Sequence, residues 1–219
     1  FQSDKFSLPS GKELSITFIK HGTLMLSYDG HTIHIDPVGM YADYSQLPKA
    51  DLILITHQHG DHLDKEAIAT LSTPDTRLIV TSTVNQQLNK GELYENGQVK
   101  RPFPWLMIET VPAYNTTPDR QKFHPKGRDN AYVLNIEDQR IYIAGDTEDI
   151  PEMKHLKDID IAFLPVNQPY TMTLEQALNA ARMVRPTILY PYHYNDTKVE
   201  ELVAPLKEEG IEVRIRDLQ

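Results

Sequence analysis

Residues 51–71 read Asp51-Leu-Ile-Leu-Ile-Thr-His-Gln-His-Gly-Asp-His-Leu-Asp-Lys-Glu-Ala-Ile-Ala-Thr-Leu71. The stretch Asp51–Thr56 is short, apolar and β-branched, which predicts a buried strand. Gly60 is expected to break it. Residues 63–71 then read as a helix, with Asp64 as N-cap and Ala67, Ile68 and Leu71 on one face. Between strand and helix stand His57, His59, Asp61 and His62, more metal-competent side chains than packing requires. The donors are imidazole nitrogen and carboxylate oxygen with no thiolate, a set that suits zinc, with manganese or iron as alternatives. Open α/β layers place ligands where a strand's carboxyl end meets a helix. His57 and His59 are two apart and project to the same side of extended backbone. Asp61 and His62 follow the glycine and face a second point, so two adjacent divalent ions are the natural reading. The competing reading, a solvated His-rich loop, leaves the agreement of strand, glycine, acid and helix without a cause.

The His57-x-His59-x-Asp61-His62 run resembles the signature of the metallo-β-lactamase fold superfamily of metal-dependent hydrolases. The likeness extends over nearly the whole chain. Ile33-His34-Ile35-Asp36-Pro37 is similar to its strand ending in Asp-Pro, and Ile141–Thr147 to its Gly-Asp-Thr element. Tyr190-Pro191-Tyr192-His193-Tyr194 resembles its final strand-end histidine. Within the superfamily the chain looks most like the compact branch that includes the ascorbate-6-phosphate lactonases. The bulkier lactamases and the RNA-processing nucleases, with their extra domains, fit less well. The resemblance implies an α/β (α+β) fold: a four-layer αββα sandwich of two mixed sheets with helices outside, as a single domain over 1–219.

The same resemblance implies the site. His57 and His59 hold the first metal, Asp61, His62 and His193 the second, and Asp146 bridges them. The superfamily pattern expects one more histidine just after the strand Leu106–Val111, but Asn115 stands there. The one histidine of that interval is His124, which we assign to the first metal. Asn115 then orients a ligand or the substrate. The alternative leaves that metal with two histidines and Asp146. Asp61 and Asp146 are the residues expected to carry catalysis. Asp36 is read either as a hydrogen-bond partner of a ligand histidine or as a turn residue before Pro37. His21, in a Lys20-His21-Gly22-Thr23 turn, is expected to line the pocket and not to bind metal.

Composition agrees with an enzyme domain. The chain has 219 residues, 40% hydrophobic and 24% charged, enough for a packed core. The net charge of -9 opposes a nucleic-acid backbone, while bound divalent cations would offset it locally for a small anionic substrate. With no cysteine, disulfides and thiolate chemistry are excluded. No apolar run is long enough to span a bilayer. The chain opens on Phe1 and not on methionine. Removal of a signal peptide would explain that start, as would trimming, and an exported or periplasmic protein is favoured over a cytoplasmic one. A homo-oligomer is left open.

The remaining pattern predicts strands over 14–20, 23–28, 32–36, 77–81, 106–111, 131–136, 140–144, 160–164, 187–190 and 211–215. Asp29-Gly30 and Glu137-Asp138-Gln139 mark hairpins. Helices are expected over 84–89, over 173–185 behind a Thr173/Gln176 capping box, and from about 197, the last kinked or split by Pro205. No sequence repeat is visible. The loop Gly39–Tyr44 and Tyr114, Tyr170, Tyr192 and Tyr194 are candidate walls for a small organic substrate, each with an ordinary packing role as the alternative. Lys126 and Arg128 are candidate anion contacts. His31, His34 and His155 read as solvated or packed histidines. The function expected is a metal-activated water acting on a small ester, lactone or phosphodiester. A nuclease on the same fold, or a di-iron redox or metal-binding protein, is the alternative.

Overall fold

The computed structural model describes residues 1–219. The chain divides into two compact units, Phe1–Glu95 and Asn96–Gln219. The first is built on β1 (Gln2–Ser7), β2 (Glu13–Lys20), β3 (Thr23–Tyr28), β4 (His31–Ile35), β5 (Leu52–Leu54), β6 (Arg77–Val80) and β7 (Glu92–Leu93). They form one seven-stranded sheet in chain order. Pairing is antiparallel from β1 to β4 and parallel from β4 to β7. The β3–β4 hairpin closes Tyr28 on His31 through Asp29 and Gly30, both at positive φ (49° and 82°), the primed turn that Asp-Gly favours.

Two helices, α1 (Lys65–Leu71) and α2 (Ser82–Leu88), cover the parallel part. Asp64 caps α1 by accepting from Glu66 and Ala67 N–H, as its position before the apolar stripe predicts. Ala67, Ile68 and Leu71 pack with Ile53, Ile55, Leu78, Val80 and Val84 in one buried cluster. Ile53 and Ile55 are two apart and share the helix-covered face, as strand periodicity requires.

The second unit comprises β8 (Val99–Phe103), β9 (Leu106–Ala113), β10 (Asp129–Ile136), β11 (Gln139–Ile143), β12 (Ile161–Pro165), β13 (Ile188–Tyr192) and β14 (Glu212–Val213). Its sheet runs β14-β13-β12-β11-β10-β9-β8. Here too the first four strands pair antiparallel and the last four parallel. One strand plan is thus used twice, with no visible sequence repeat. α3 (Leu174–Val184) begins at Thr173 with both halves of the capping box formed. The last helical stretch is split, a 3-10 turn over Val199–Leu202 followed by α4 (Val203–Glu208), which carries Pro205 in its first turn. No helix is long and apolar enough to cross a membrane. The molecule thus has two mixed sheets with helices, the fold class expected.

Candidate metal centre

In the first unit the ligand run leaves β5 and is held from below by one carboxylate. Thr56 N–H donates to Asp36 Oδ1 at 2.7 Å, and its hydroxyl donates to Asp36 Oδ2 at 2.6 Å. His62 Nδ1 lies 2.7 Å from that same oxygen. Asp36 is fully buried, and burial pushes its carboxyl above the ordinary range despite the lowering effect of His62 and Thr56. A more basic carboxylate is a stronger acceptor for the His62 Nδ1 proton. Since the Thr56 hydroxyl proton points to Asp36, its oxygen accepts from His57 Nδ1 at 3.0 Å. Both histidines are thereby set with Nδ1 protonated and the Nε2 lone pair outward, the tautomer a metal needs.

The run then turns, with His62 and Leu63 N–H both donating to the His59 carbonyl. His57 Nε2 and His59 Nδ1 come to 3.0 Å. Asp61 Oδ2 lies 3.9 Å from His62 Nε2 and 3.3 Å from His21 Nε2. His21 arrives on the two-residue β2–β3 connection in a left-handed conformation (φ 55°). It belongs with Asp61 and His62 as a potential donor, closer to a ligand position than its pocket reading anticipated. The His57 and His62 rings are 4.2 Å apart between centroids, so the two donor groups adjoin.

In the second unit Asp146 follows β11, His193 follows β13, and His124 lies on the β9–β10 connection. Asp146 Oδ2 is 3.3 Å from His124 Nε2 and 3.3 Å from His193 Nε2. Asn115 fixes His124 twice: its N–H donates to the His124 carbonyl at 2.9 Å, and its Oδ1 accepts from His124 Nδ1 at 2.9 Å. The amide cannot turn over without losing the bond from its Nδ2 to the Tyr170 carbonyl at 2.8 Å. His124 is therefore also set with Nε2 outward. His193, itself left-handed at φ 48°, has the Asn167 side-chain amide 3.4 Å from Nδ1. Arg128 pairs with buried Asp129 and donates to the Phe123 carbonyl, which secures the chain just before His124.

These donors suit a metal. Zinc bonds of about 2.0–2.2 Å to nitrogen and oxygen in tetrahedral array place ligand atoms roughly 3.3–3.5 Å apart. The 3.3 Å separations around Asp61 and Asp146 match that edge, the 3.0 Å between His57 and His59 is slightly shorter, and nitrogen with carboxylate oxygen is a zinc donor set. An ion pair would not need the Nε2 lone pairs of His57, His62 and His124 already turned outward.

Several residues were not singled out in the sequence. Thr56, which transmits the hold of Asp36 to His57, is an ordinary strand residue by pattern. Gly22 is one: a Cβ there would meet His62 Cε1 at 2.6 Å. Glu148, fully buried, takes three hydrogen bonds on one oxygen. Burial raises its carboxyl and the bonds from Thr117 and Thr116 outweigh that, holding it below the usual range.

Other candidates resolve as packing. Tyr192 and Tyr194 are buried and donate to the Gly145 and Arg216 carbonyls. Tyr44 is buried and accepts from Val38 N–H, while Met40 on the same loop is exposed. Lys126 is engaged by Glu152 and Tyr114, and Arg128 by Asp129, so neither is reserved for an anion. Tyr170 stays exposed, packed edge-on to Phe123. His34 is buried, half-exposed His31 lies against Asp51, and His155 is exposed.

Comparison with known proteins bears on this geometry. A family model described as a beta-lactamase superfamily domain matches residues 15–193. A UPF0173 metal-dependent hydrolase of Ligilactobacillus salivarius is 33% identical over 83% of this chain and 85% of its own. A crystal structure from Parabacteroides distasonis, provisionally described as a metal-dependent hydrolase, is 62% identical and covers 100% of both chains with a TM-score of 0.99. A metallo hydrolase of the archaeon Ignicoccus hospitalis is 26% identical with a TM-score of 0.78, over 94% of this chain and 95% of its own.

Proposed function

The chain belongs to the β-lactamase superfamily as a metal-dependent hydrolase, and from that premise we propose that it hydrolyses a small ester, lactone or phosphodiester at a dinuclear centre, with zinc as the metal. His57, His59 and His124 would hold one ion. Asp61, His62 and His193 would hold the other, with His21 available beside Asp61, and Asp146 would be shared. The reading treats residues 1–219 as one catalytic domain with ligands from both units. The observation that carries it is Asp146 Oδ2, which lies 3.3 Å from the Nε2 atoms of two histidines delivered by different loops. When bound, such a metal pair supplies an activated water and a Lewis acid. The chain's own residues keep three of the imidazoles in one tautomer. Asp36, through Thr56 and directly, serves His57 and His62, and Asn115 serves His124. Asp61, the most exposed carboxylate of the set, with His21 Nε2 3.3 Å away, would assist proton transfer.

The test begins with metal analysis of the purified protein, then a panel of lactones, esters, phosphodiesters and RNA. We expect two zinc-class ions per chain, turnover of at least one small substrate, and loss of that turnover by a factor of about 10³ or more in Asp146→Ala. A protein that binds no metal, or that cleaves RNA and nothing small, would overturn the proposal.

A further inference from the structure

Glu148 stands two residues after Asp146 and its side chain is fully buried, yet nothing in the ligand set uses it. Its Oε2 accepts from Thr116 N–H at 2.8 Å, the Thr116 hydroxyl at 2.9 Å and Thr117 N–H at 2.7 Å. Two consecutive backbone N–H groups and a hydroxyl converging on one oxygen form a small anion cradle, which a carboxylate fills better than any neutral side chain. Arg120 Nη1, on the same loop, lies 3.7 Å from the other oxygen. The neighbouring backbone is joined in the same sense. Glu148 N–H donates to the Tyr114 carbonyl at 3.0 Å, and Tyr114 N–H donates to the Thr147 hydroxyl at 3.1 Å. Residues 147–148 and 114–117 are therefore laced together on either side of Asn115, the residue that clamps His124 by backbone and side chain.

We infer that Glu148 is a positioning residue: its buried carboxylate ties the loop carrying Asn115 and His124 to the strand end carrying Asp146, and so sets the spacing between those two donors. The inference rests on the proposed ligand role of His124. A loop of this length would otherwise move its histidine independently of Asp146, and a metal site loses affinity steeply when its donors are not held in place. The three bonds run to the loop and not to the imidazole, so the effect passes through Asn115.

The test compares wild type with His124→Ala, Glu148→Ala and Glu148→Gln. Each protein is stripped with a chelator, and its zinc affinity is then read by competition with a chromophoric chelator, beside the thermal midpoint of the metal-free form. Glu148→Ala should weaken the affected zinc site about 10–100-fold, the range seen when outer partners of a ligand are removed. Glu148→Gln keeps an acceptor and the shape without the charge, and should show a smaller loss in the same direction. If Glu148→Ala does not fold, the Gln variant carries the test. Zinc affinity within twofold of wild type in the folded Glu148 variants, with or without a lower midpoint, while His124→Ala is impaired, would overturn the inference and leave the ligand assignment standing. Unimpaired zinc binding in His124→Ala would overturn the ligand assignment itself, and the inference with it.

Discussion

Gly22 and Gly60 both sit beside the candidate ligand histidines, and their constraints are opposite. A Cβ on Gly22 would lie 2.6 Å from His62 Cε1, whereas one on Gly60 would meet nothing within 4 Å. Gly22→Ala should therefore push the His62 ring off its bond to Asp36 and weaken zinc binding about tenfold or more, while Gly60→Ala should bind zinc as the parent does. Equal damage from the two, measured by chelator competition, would contradict this account. The pattern of the chain pointed to Gly60, because a glycine after a strand reads as a break. It could not point to Gly22, because the demand comes from a side chain 40 residues away. The same limit applies to Thr56 and Asn167, which matter through partners that only folding brings near. Asp36, His21 and His193 add a further feature invisible in sequence: all three adopt positive φ (45°, 55° and 48°) although none is glycine. Such backbone costs on the order of 1–3 kcal/mol per residue and persists where the surrounding structure dictates it.

Among the elements, α3 was the most legible. Its capping pair, its apolar stripe and Pro186 are all local signals, and the observed helix Leu174–Val184 meets each. Thr173→Ala should cost about 1 kcal/mol by freeing the cap that Gln176 N–H now uses, read as a lower denaturant midpoint at unchanged slope. No change in midpoint would show the box to be idle. The strands that escaped prediction are β1, β7 and β8, and each has a physical reason. β1 and β8 are edge strands with mostly exposed side chains, so no alternation of polar and apolar residues marks them. β8 also contains Pro102 near a register shift. β7 is only two residues long. Their pairing comes from backbone hydrogen bonds to a neighbour, and the side-chain pattern does not record that.

At the scale of the whole molecule, acid stability is expected to depend on a residue outside the proposed ligand set. His34 is buried in β4, donates from Nε2 to the Pro48 carbonyl at 3.0 Å, and has no hydrogen bond on Nδ1. Burial lowers its pKa from 6.5 to about 4, against the raising effect of Pro48. The unfolded chain takes up a proton near pH 6.5 and the folded chain does not until about pH 4, so the unfolded state binds more protons in that window. Stability is thus present above pH 6.5 and lost as pH falls toward 4, by roughly 3 kcal/mol in all. His34→Gln, which can still donate to Pro48, should flatten that fall when denaturation is followed at pH 7, 5 and 4. An equally steep fall in the variant would rule His34 out as its source. The two sheets make the larger point. Each runs four strands antiparallel and then turns parallel, and each carries residues of the candidate site at corresponding places. His21 and His124 lie on the connection after the second strand, and Asp36 and Asp146 after the fourth. By itself the sequence determined the donor types, the elements that deliver them and the superfamily, because spacing, strand ends and caps are local properties of the chain. Only the tertiary structure decided which nitrogen His57, His62 and His124 present, that Gly22 must stay bare, and that Glu148 laces the His124 loop to the Asp146 strand end, because those depend on contacts between residues remote in sequence.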